Sequence, residues 1–211
     1  MEKKPYKTLL RAAKDELVIN KSRFLCRGFP VESEEEALKC LLQVRAAHPD
    51  ATHNCYAYAV GANMGIMRYS DDGEPGGTAG LPMMEVIKAR CVTNCIVVVT
   101  RYFGGILLGT GGLVRAYSQS TAMAIDACGV GTVYPTVRYL VEISYPLLGR
   151  AEYLLKSQPV ILEDKQFTDR VTLQLIVRAR DEEAFVKEFI SALDGKAEML
   201  KTEEIYLAWE N

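Results

Sequence analysis

Arg101 and Arg115 stand on either side of a glycine run, Gly104, Gly105, Gly109, Gly111 and Gly112, with five glycines in nine residues. Without a Cβ, such a loop lets backbone N–H groups approach a ligand closely. A helix starting beyond it adds partial positive charge, and arginine matches phosphate or carboxylate bidentately. This is the chemistry of an anion site, with Lys21 at its rim. The same glycines also suit a tight strand-to-helix turn that serves packing alone. The run lacks the Lys-Ser/Thr of a P-loop, and no G-x-G-x-x-G opens the helix, so the common nucleotide fingerprints are absent.

Two further groups could do chemistry. Asp71-Asp72-Gly73-Glu74 places three carboxylates in four residues, which suits a Mg²⁺ site or an acid/base pair. It equally suits a solvated turn whose aspartates cap backbone N–H groups. A third reading pairs these carboxylates with Arg101 or Arg115 and ties the two loops together. His53 and Cys55 are two residues apart, so on a strand they share a face. They could act as base and nucleophile, or form half a zinc site with Cys91 and Cys95. The spacing lacks the paired C-x₂₋₄-C turns of zinc knuckles, and a core histidine beside a buried thiol fits as well. No metal or cofactor is expected.

These residues need elements to position them. Val92 to Phe103 reads as a central strand, and the helix after the glycine loop carries Leu113, Ala116, Tyr117, Ser120 and Ala124 on one face. His53 to Val60 alternates, with His53, Cys55, Ala57 and Ala59 on one side and Asn54, Tyr56, Tyr58 and Val60 on the other. Gly65 to Ser70 is its partner strand, and a helix follows the acidic loop. Tyr6 to Val31 reads as two strands, broken near Lys14-Asp15. Ser33 and Glu36 form a capping box for a helix with Ala37, Leu38, Leu41 and Leu42 on its apolar stripe, stopped at His48-Pro49.

Gly129-Val130-Gly131 and Tyr134-Pro135 mark a junction, giving expected domains of 1–134 and 135–211. The second follows a β-α-β-β-α-β pattern, which predicts a ferredoxin-like fold. Its strands bury Val137, Tyr139, Val141 and Ile143, then Val171, Leu173, Leu175 and Val177; its last helix buries Phe185, Phe189, Ile190 and Leu193. Its outward residues, Arg138, Leu140, Glu142, Thr172, Gln174 and Arg178, include no aromatic. That argues against the stacking mode of RNA recognition there. The fold class is α+β, an N-terminal sheet backed by helices plus this second domain.

The 211 residues are 49% hydrophobic and 25% charged, ordinary values for a globular chain. Net charge is −2, which excludes a basic nucleic-acid coat. The charge is uneven. Residues 1–136 hold 15 basic and 13 acidic side chains, a net +2, and residues 137–211 hold 10 and 14, a net −4. A polyanion would therefore meet the first part. The N-terminus has no apolar signal region and no run spans a bilayer, so a cytoplasmic, membrane-free protein with reduced thiols is expected.

Four motifs carry a resemblance. They are Lys21-Ser22-x-Phe24, His53-x-Cys55-x-Ala57-Tyr58, Asp71-Asp72-Gly73-Glu74-Pro75-x-Gly77-Thr78-Ala79-Gly80-x-Pro82, and the run from Val99-Thr100-Arg101-Tyr102-Phe103-Gly104-Gly105 to Arg115-Ala116-Tyr117. Over residues 15–130 the chain resembles the IMPACT/YigZ family, and its tail resembles the small second domain of bacterial members. The resemblance implies a first domain like the second domain of a small-subunit ribosomal protein and domain IV of elongation factor G. It implies a second domain similar to another part of that factor. Eukaryotic members are translational regulators that bind an activator of a stress kinase.

Three functions follow as expectations. The first is a non-enzymatic translation- or RNA-associated regulator, with RNA, a ribosome-associated partner or a protein bound near Arg101, the five glycines, Arg115 and Lys21. The second is an enzyme acting on a phosphorylated or acyl substrate. There Asp72 and Glu74 would hold a metal or move protons, Arg101 would clamp the substrate, and His53 or Cys55 would assist. The third is a protein-interaction module without a small ligand.

Overall fold

The computed structural model describes residues 4–210; the outermost residues of the expected domains, 1–3 and 211, lie outside the described residues. The chain forms two compact units. One runs to Val133 and takes the chain back from Ala208 onward; the other is Tyr134–Leu207.

The first unit begins with β1 (Tyr6–Leu9), β2 (Ala13–Ile19) and β3 (Ser22–Pro30). Three strands therefore stand where the sequence reads as two, and the expected break near Lys14-Asp15 falls inside β2, where both residues are paired with β3. Asn20 and Lys21 take positive φ, 47° and 63°, and close a two-residue hairpin between the paired Ile19 and Ser22. Neither residue is glycine, which hides the turn in the sequence. Then follow α1 (Glu34–Ala47), β4 (His53–Val60), β5 (Ile66–Ser70), α2 (Gly80–Ala89), β6 (Cys95–Tyr102) and α3 (Gly109–Cys128). The sheet order is β2-β3-β6-β4-β5, with β6 at the centre and every pairing antiparallel.

Helices cover both faces of this sheet. Tyr58, Val60, Ile96 and Val98 pack with Ala37, Leu41 and Val44 of α1. Cys55, Ala57, Ala59, Cys95, Val97 and Val99 pack with α2 and α3 through Met83, Ile87, Ala116, Tyr117 and Ala124. Burial on both sides explains why β6 is a continuous apolar run rather than an alternating one. Ser33 Oγ accepts from the Glu36 N–H at 3.2 Å and opens α1, while the Glu36 carboxylate accepts from the Glu32 N–H. Leu38 and Leu42 are exposed rather than part of the buried stripe. Ala37, Leu41 and Val44 face the sheet, and residues one position along turn about 100° away from it.

β7 (Val130–Ile143) runs through the expected junction without a break. Pro135, which lacks an N–H, falls between the stretch paired with β1 (130–133) and the stretch paired with β9 (136–143). The second unit then adds α4 (Leu148–Ser157), β8 (Val160–Phe167), β9 (Val171–Arg178), α5 (Glu182–Ala192) and β10 (Glu198–Glu210). The order β10-β7-β9-β8 is the ferredoxin-like arrangement. Val137, Val141, Ile143, Leu173, Leu175, Phe185, Phe189 and Leu193 make its core. Ile190 is 36% exposed and does not belong to that core, because it lies one step round the helix from Phe189. No helix among the described residues is long and apolar enough to cross a membrane.

The contrast between these neighbours is measurable. Phe189→Ala should lower the unfolding free energy in urea by about 3–5 kcal/mol. Ile190→Ala should lower it by only about 1 kcal/mol or less.

Candidate binding site

Arg101 lies near the end of β6, opposite His53 of β4 and Phe24 of β3. All three point to the α2/α3 side of the sheet, as Val97 and Val99 do. Arg101 Nη1 donates to Glu74 Oε1 at 2.7 Å, and the two side chains are only 6% and 3% exposed. The Tyr117 hydroxyl, from α3, donates to the same oxygen at 2.7 Å. Arg101 Nη2 reaches Ser22 Oγ at 3.4 Å, and Ser22 Oγ accepts from the Gly104 N–H at 3.2 Å. The guanidinium lies between the Phe24 and Phe103 rings, 5.4 and 5.5 Å from their centroids. Its Nε is buried without a hydrogen-bond partner.

The acidic loop is held by its own carboxylates. Asp71 accepts from the amides of Gly77, Ala79 and Gly80 at 2.8, 3.0 and 2.8 Å and so fills the start of α2. Desolvation opposes its charge, but these three amides prevail and hold its pKa below the ordinary carboxylate value. Asp72, at φ 44°, accepts from Arg45 Nη2 at 2.6 Å and from the Asn54 N–H at 2.7 Å. Both aspartates are thus engaged by partners within the protein. Among the described residues no three His, Cys, Asp or Glu side chains are grouped as a metal would need.

His53 and Cys55 face this loop. His53 Nδ1 donates to the Asp72 carbonyl at 2.8 Å, which leaves Nε2 as the acceptor in the neutral ring, 3.8 Å from Glu74 Oε2. The Cys55 thiol donates to the Asp71 carbonyl at 2.9 Å and lies 3.3 Å from the Tyr117 oxygen. Burial pushes the thiol up to about 12, so it carries no useful thiolate at neutral pH. Burial, with Cys55 and Glu74 beside it, also keeps Tyr117 protonated far above its usual range, as a donor to Glu74.

The glycines divide by task. A Cβ on Gly104 would stand 2.1 Å from the Lys21 carbonyl carbon, so this glycine lets the loop lie on the β2–β3 turn and brings Lys21 beside it. Gly105 and Gly109 take φ of 82° and 69°. Gly111 and Gly112 lie inside α3, in its first turn. No side chain caps α3, and its first turn holds no acid. A cleft of about 380 Å³ opens at this helix start, between the acidic loop and the glycine loop. His53, Glu74, Arg101, Phe103, Leu107 and Thr110 are among its lining residues. Phe103, Ile106 and Leu107 are exposed at the loop's surface, and so is Arg115 farther along α3.

The fold thus brings His53, Glu74, Arg101 and the glycine loop to one cleft. It turns Cys55, Asp71 and Asp72 to internal contacts and leaves Arg115 outside the lining. Sequence reasoning missed Tyr117, Ser22, Asn54 and Arg45 as partners. Tyr117 carried a signal: a tyrosine inside an otherwise small apolar stripe must find a partner for its hydroxyl.

A helix-covered antiparallel sheet, an acidic loop locked to it by a buried ion pair, and a ferredoxin-like unit define a two-unit α+β protein with a cleft at a helix start. The chain belongs to the IMPACT family. The Impact N-terminal domain matches residues 20–125, and a domain of unknown function, DUF1949, matches residues 141–196. The chain is 38% identical over 207 residues to the IMPACT family member YvyE of Bacillus subtilis (strain 168), covering 96% of this chain and 93% of that protein. It is 35% identical over 188 residues to the IMPACT family member YigZ of Escherichia coli (strain K12), covering 88% and 92%. A crystal structure of a hypothetical protein, 32% identical, aligns with a TM-score of 0.61 over 96% of this chain and 98% of that one.

Removing one partner of a buried pair strands the other charge. Arg101→Met should cost about 3–5 kcal/mol in denaturant unfolding, and the double variant with Glu74→Gln should recover part of it. For Asp71 the lowered folded pKa means its stabilisation is complete above about pH 4, the unfolded value, and is lost as pH falls through the folded value. Unfolding curves of Asp71→Asn should therefore show a weaker loss of stability between about pH 5 and pH 2 than the parent.

Proposed function

We propose that this protein is a non-catalytic, translation-associated regulator that binds RNA through the glycine loop and the start of α3. The observation that carries this reading is the uncapped, acid-free N-terminus of α3, open to a cleft and bordered by the exposed Phe103, Ile106 and Leu107. Backbone N–H groups at a helix start favour phosphate, and the exposed Phe103 ring suits a base. Lys21 lies beside the loop and Arg115 is exposed on the same helix, so cations are at hand for a backbone.

The internal contacts of the candidate catalytic groups support this reading over an enzyme. Asp71 and Asp72 are spent on amides and Arg45, Glu74 on Arg101 and Tyr117, and the Cys55 thiol is protonated. The second unit offers little to RNA on its outward sheet face, where Arg138 is paired with Glu163 and Glu203. The translational setting rests on the family resemblance; the mode of binding rests on the geometry.

Titration into structured RNA at several salt concentrations tests the reading. Affinity should fall linearly on a logarithmic salt scale, and Lys21→Ala and Arg115→Ala should each reduce the slope by about 1. Gly111→Asp gives the sharper outcome. A Cβ there meets nothing within 4 Å, and an acid in the first turn suits the helix dipole. Its melting temperature should rise while RNA affinity drops about tenfold or more. Absence of binding at low salt overturns the proposal.

A further inference from the structure

We infer that the α1 side of the β2–β3 hairpin carries a second contact for the same RNA, with Lys14 and Arg27 holding one backbone phosphate between them. The inference rests on the RNA reading above and extends the bound strand beyond the glycine loop. Strand pairing defines this face. Phe24 and Cys26 of β3 are buried toward α2 and α3, so Arg23, Leu25 and Arg27 stand on the opposite side with Phe29, which packs toward α1. Lys14, Glu16 and Val18 of β2 lie directly opposite Arg27, Leu25 and Arg23. Helix α1 lies over β4 and β6 and leaves this stretch open. Lys14, Glu16, Val18 and Arg23 are exposed there, and Leu25 and Arg27 are half-buried.

Lys14 and Arg27 are therefore like charges in direct cross-strand register. Such a pair destabilises a sheet, and an anion between the two removes the penalty. The chain does not supply one. Glu16 is diagonal to both Arg23 and Arg27, and it goes to Arg23, at 2.7 and 3.3 Å. Neither Lys14 nor Arg27 makes an ion pair among the described residues. Arg27 is held by a neutral group instead. Its Nη2 donates to His48 Nε2 at 2.8 Å, and His48 Nδ1 lies 2.8 Å from the Tyr102 hydroxyl oxygen. Arginine keeps all its protons, so Nε2 accepts and the ring is uncharged. Burial, with Arg27 and Arg23 close by, holds the His48 pKa below the ordinary imidazole value. The guanidinium fork matches phosphate and lysine adds a point charge. Arg23 and Tyr102 join this face to the glycine loop. The Arg23 guanidinium lies 5.9 Å from the Tyr102 ring centroid, Phe103 follows Tyr102, and Lys21 and Ser22 precede Arg23. A strand that leaves the glycine loop past Lys21 reaches Arg23, and Arg27 about 13 Å farther along β3.

Titration of the full chain into structured RNA at several salt concentrations, with melting temperatures measured alongside, tests the assignment. Lys14→Glu replaces like charges by opposite ones. Its melting temperature should equal or exceed the parent's, while RNA affinity falls about tenfold or more. Arg27→Gln should lower the salt slope by about 1. Lys187→Glu makes the same charge change at an exposed position of α5 in the second unit, and should leave affinity nearly unchanged. Equal losses for Lys14→Glu and Lys187→Glu overturn the inference, because bulk charge then accounts for them. Displacement of the RNA by poly-glutamate as readily as by unlabelled RNA of equal charge assigns the face to an acidic protein and overturns it too. Parent-like binding by Lys14→Glu and Arg27→Gln, with losses for Lys21→Ala and Arg115→Ala, overturns this inference and leaves the glycine-loop reading standing. Losses at Lys14 and Arg27 with none at Lys21, Gly111 or Arg115 do the reverse, and a chain that binds no RNA at low salt overturns both.

Discussion

A guanidinium and a carboxylate lose their water when they are buried, and only close geometry and further hydrogen bonds offset that loss. The Glu74–Arg101 pair meets those conditions with help from three directions. Tyr117 donates to the carboxylate from α3, Ser22 meets the guanidinium from β3, and two aromatic rings cover its faces. Arg101 sits on the central strand, so the pair fixes the acidic loop to the stiffest part of the sheet. Through Tyr117 it fixes α3 to both. The shape of the cleft follows from this one contact, because each wall belongs to an element that the pair joins.

Two helices begin around this centre, and they are finished differently. The start of α2 is filled by the Asp71 carboxylate, which takes three amides. The start of α3 has no such internal anion, although the chain has acidic residues close by in the adjoining loop. Asp72 is turned to Arg45 and Asn54, and Glu74 to Arg101. The fold thus satisfies one dipole from within and leaves its neighbour to solvent or a ligand.

The faces of the strands were legible because alternation is local. His53, Cys55, Ala57 and Ala59 share the α2/α3 side of β4, and the ferredoxin-like order follows from its β-α-β-β-α-β pattern. The family motifs were legible as well. The hairpin at Asn20-Lys21 was not, since Asn20 tolerates positive φ but Lys21, in the place where glycine usually follows, gives no such signal. Nor was the choice among carboxylates. Asp71, Asp72 and Glu74 are near-equivalent in sequence, and their partners stand far along the chain: Arg45 at 27 residues from Asp72, Arg101 at 27 from Glu74 and Tyr117 at 43. Which acid meets which cation is decided by the turn at Asp72-Gly73, where two successive positive φ values send neighbouring side chains to different sides.

The strand β10 leaves the second unit and ends in the first, where the Trp209 carbonyl lies against Gly131 so closely that a Cβ there would stand 2.6 Å away. The second unit is one unbroken stretch of chain, but the first is assembled from two stretches separated by it. Emergence from the ribosome therefore reverses their order of completion. The stretch Tyr134–Leu207 has all its strands as soon as it is made, whereas the sheet edge holding Leu9 and Gly131 waits for Ala208–Glu210. The unit that is translated first is the one that closes last.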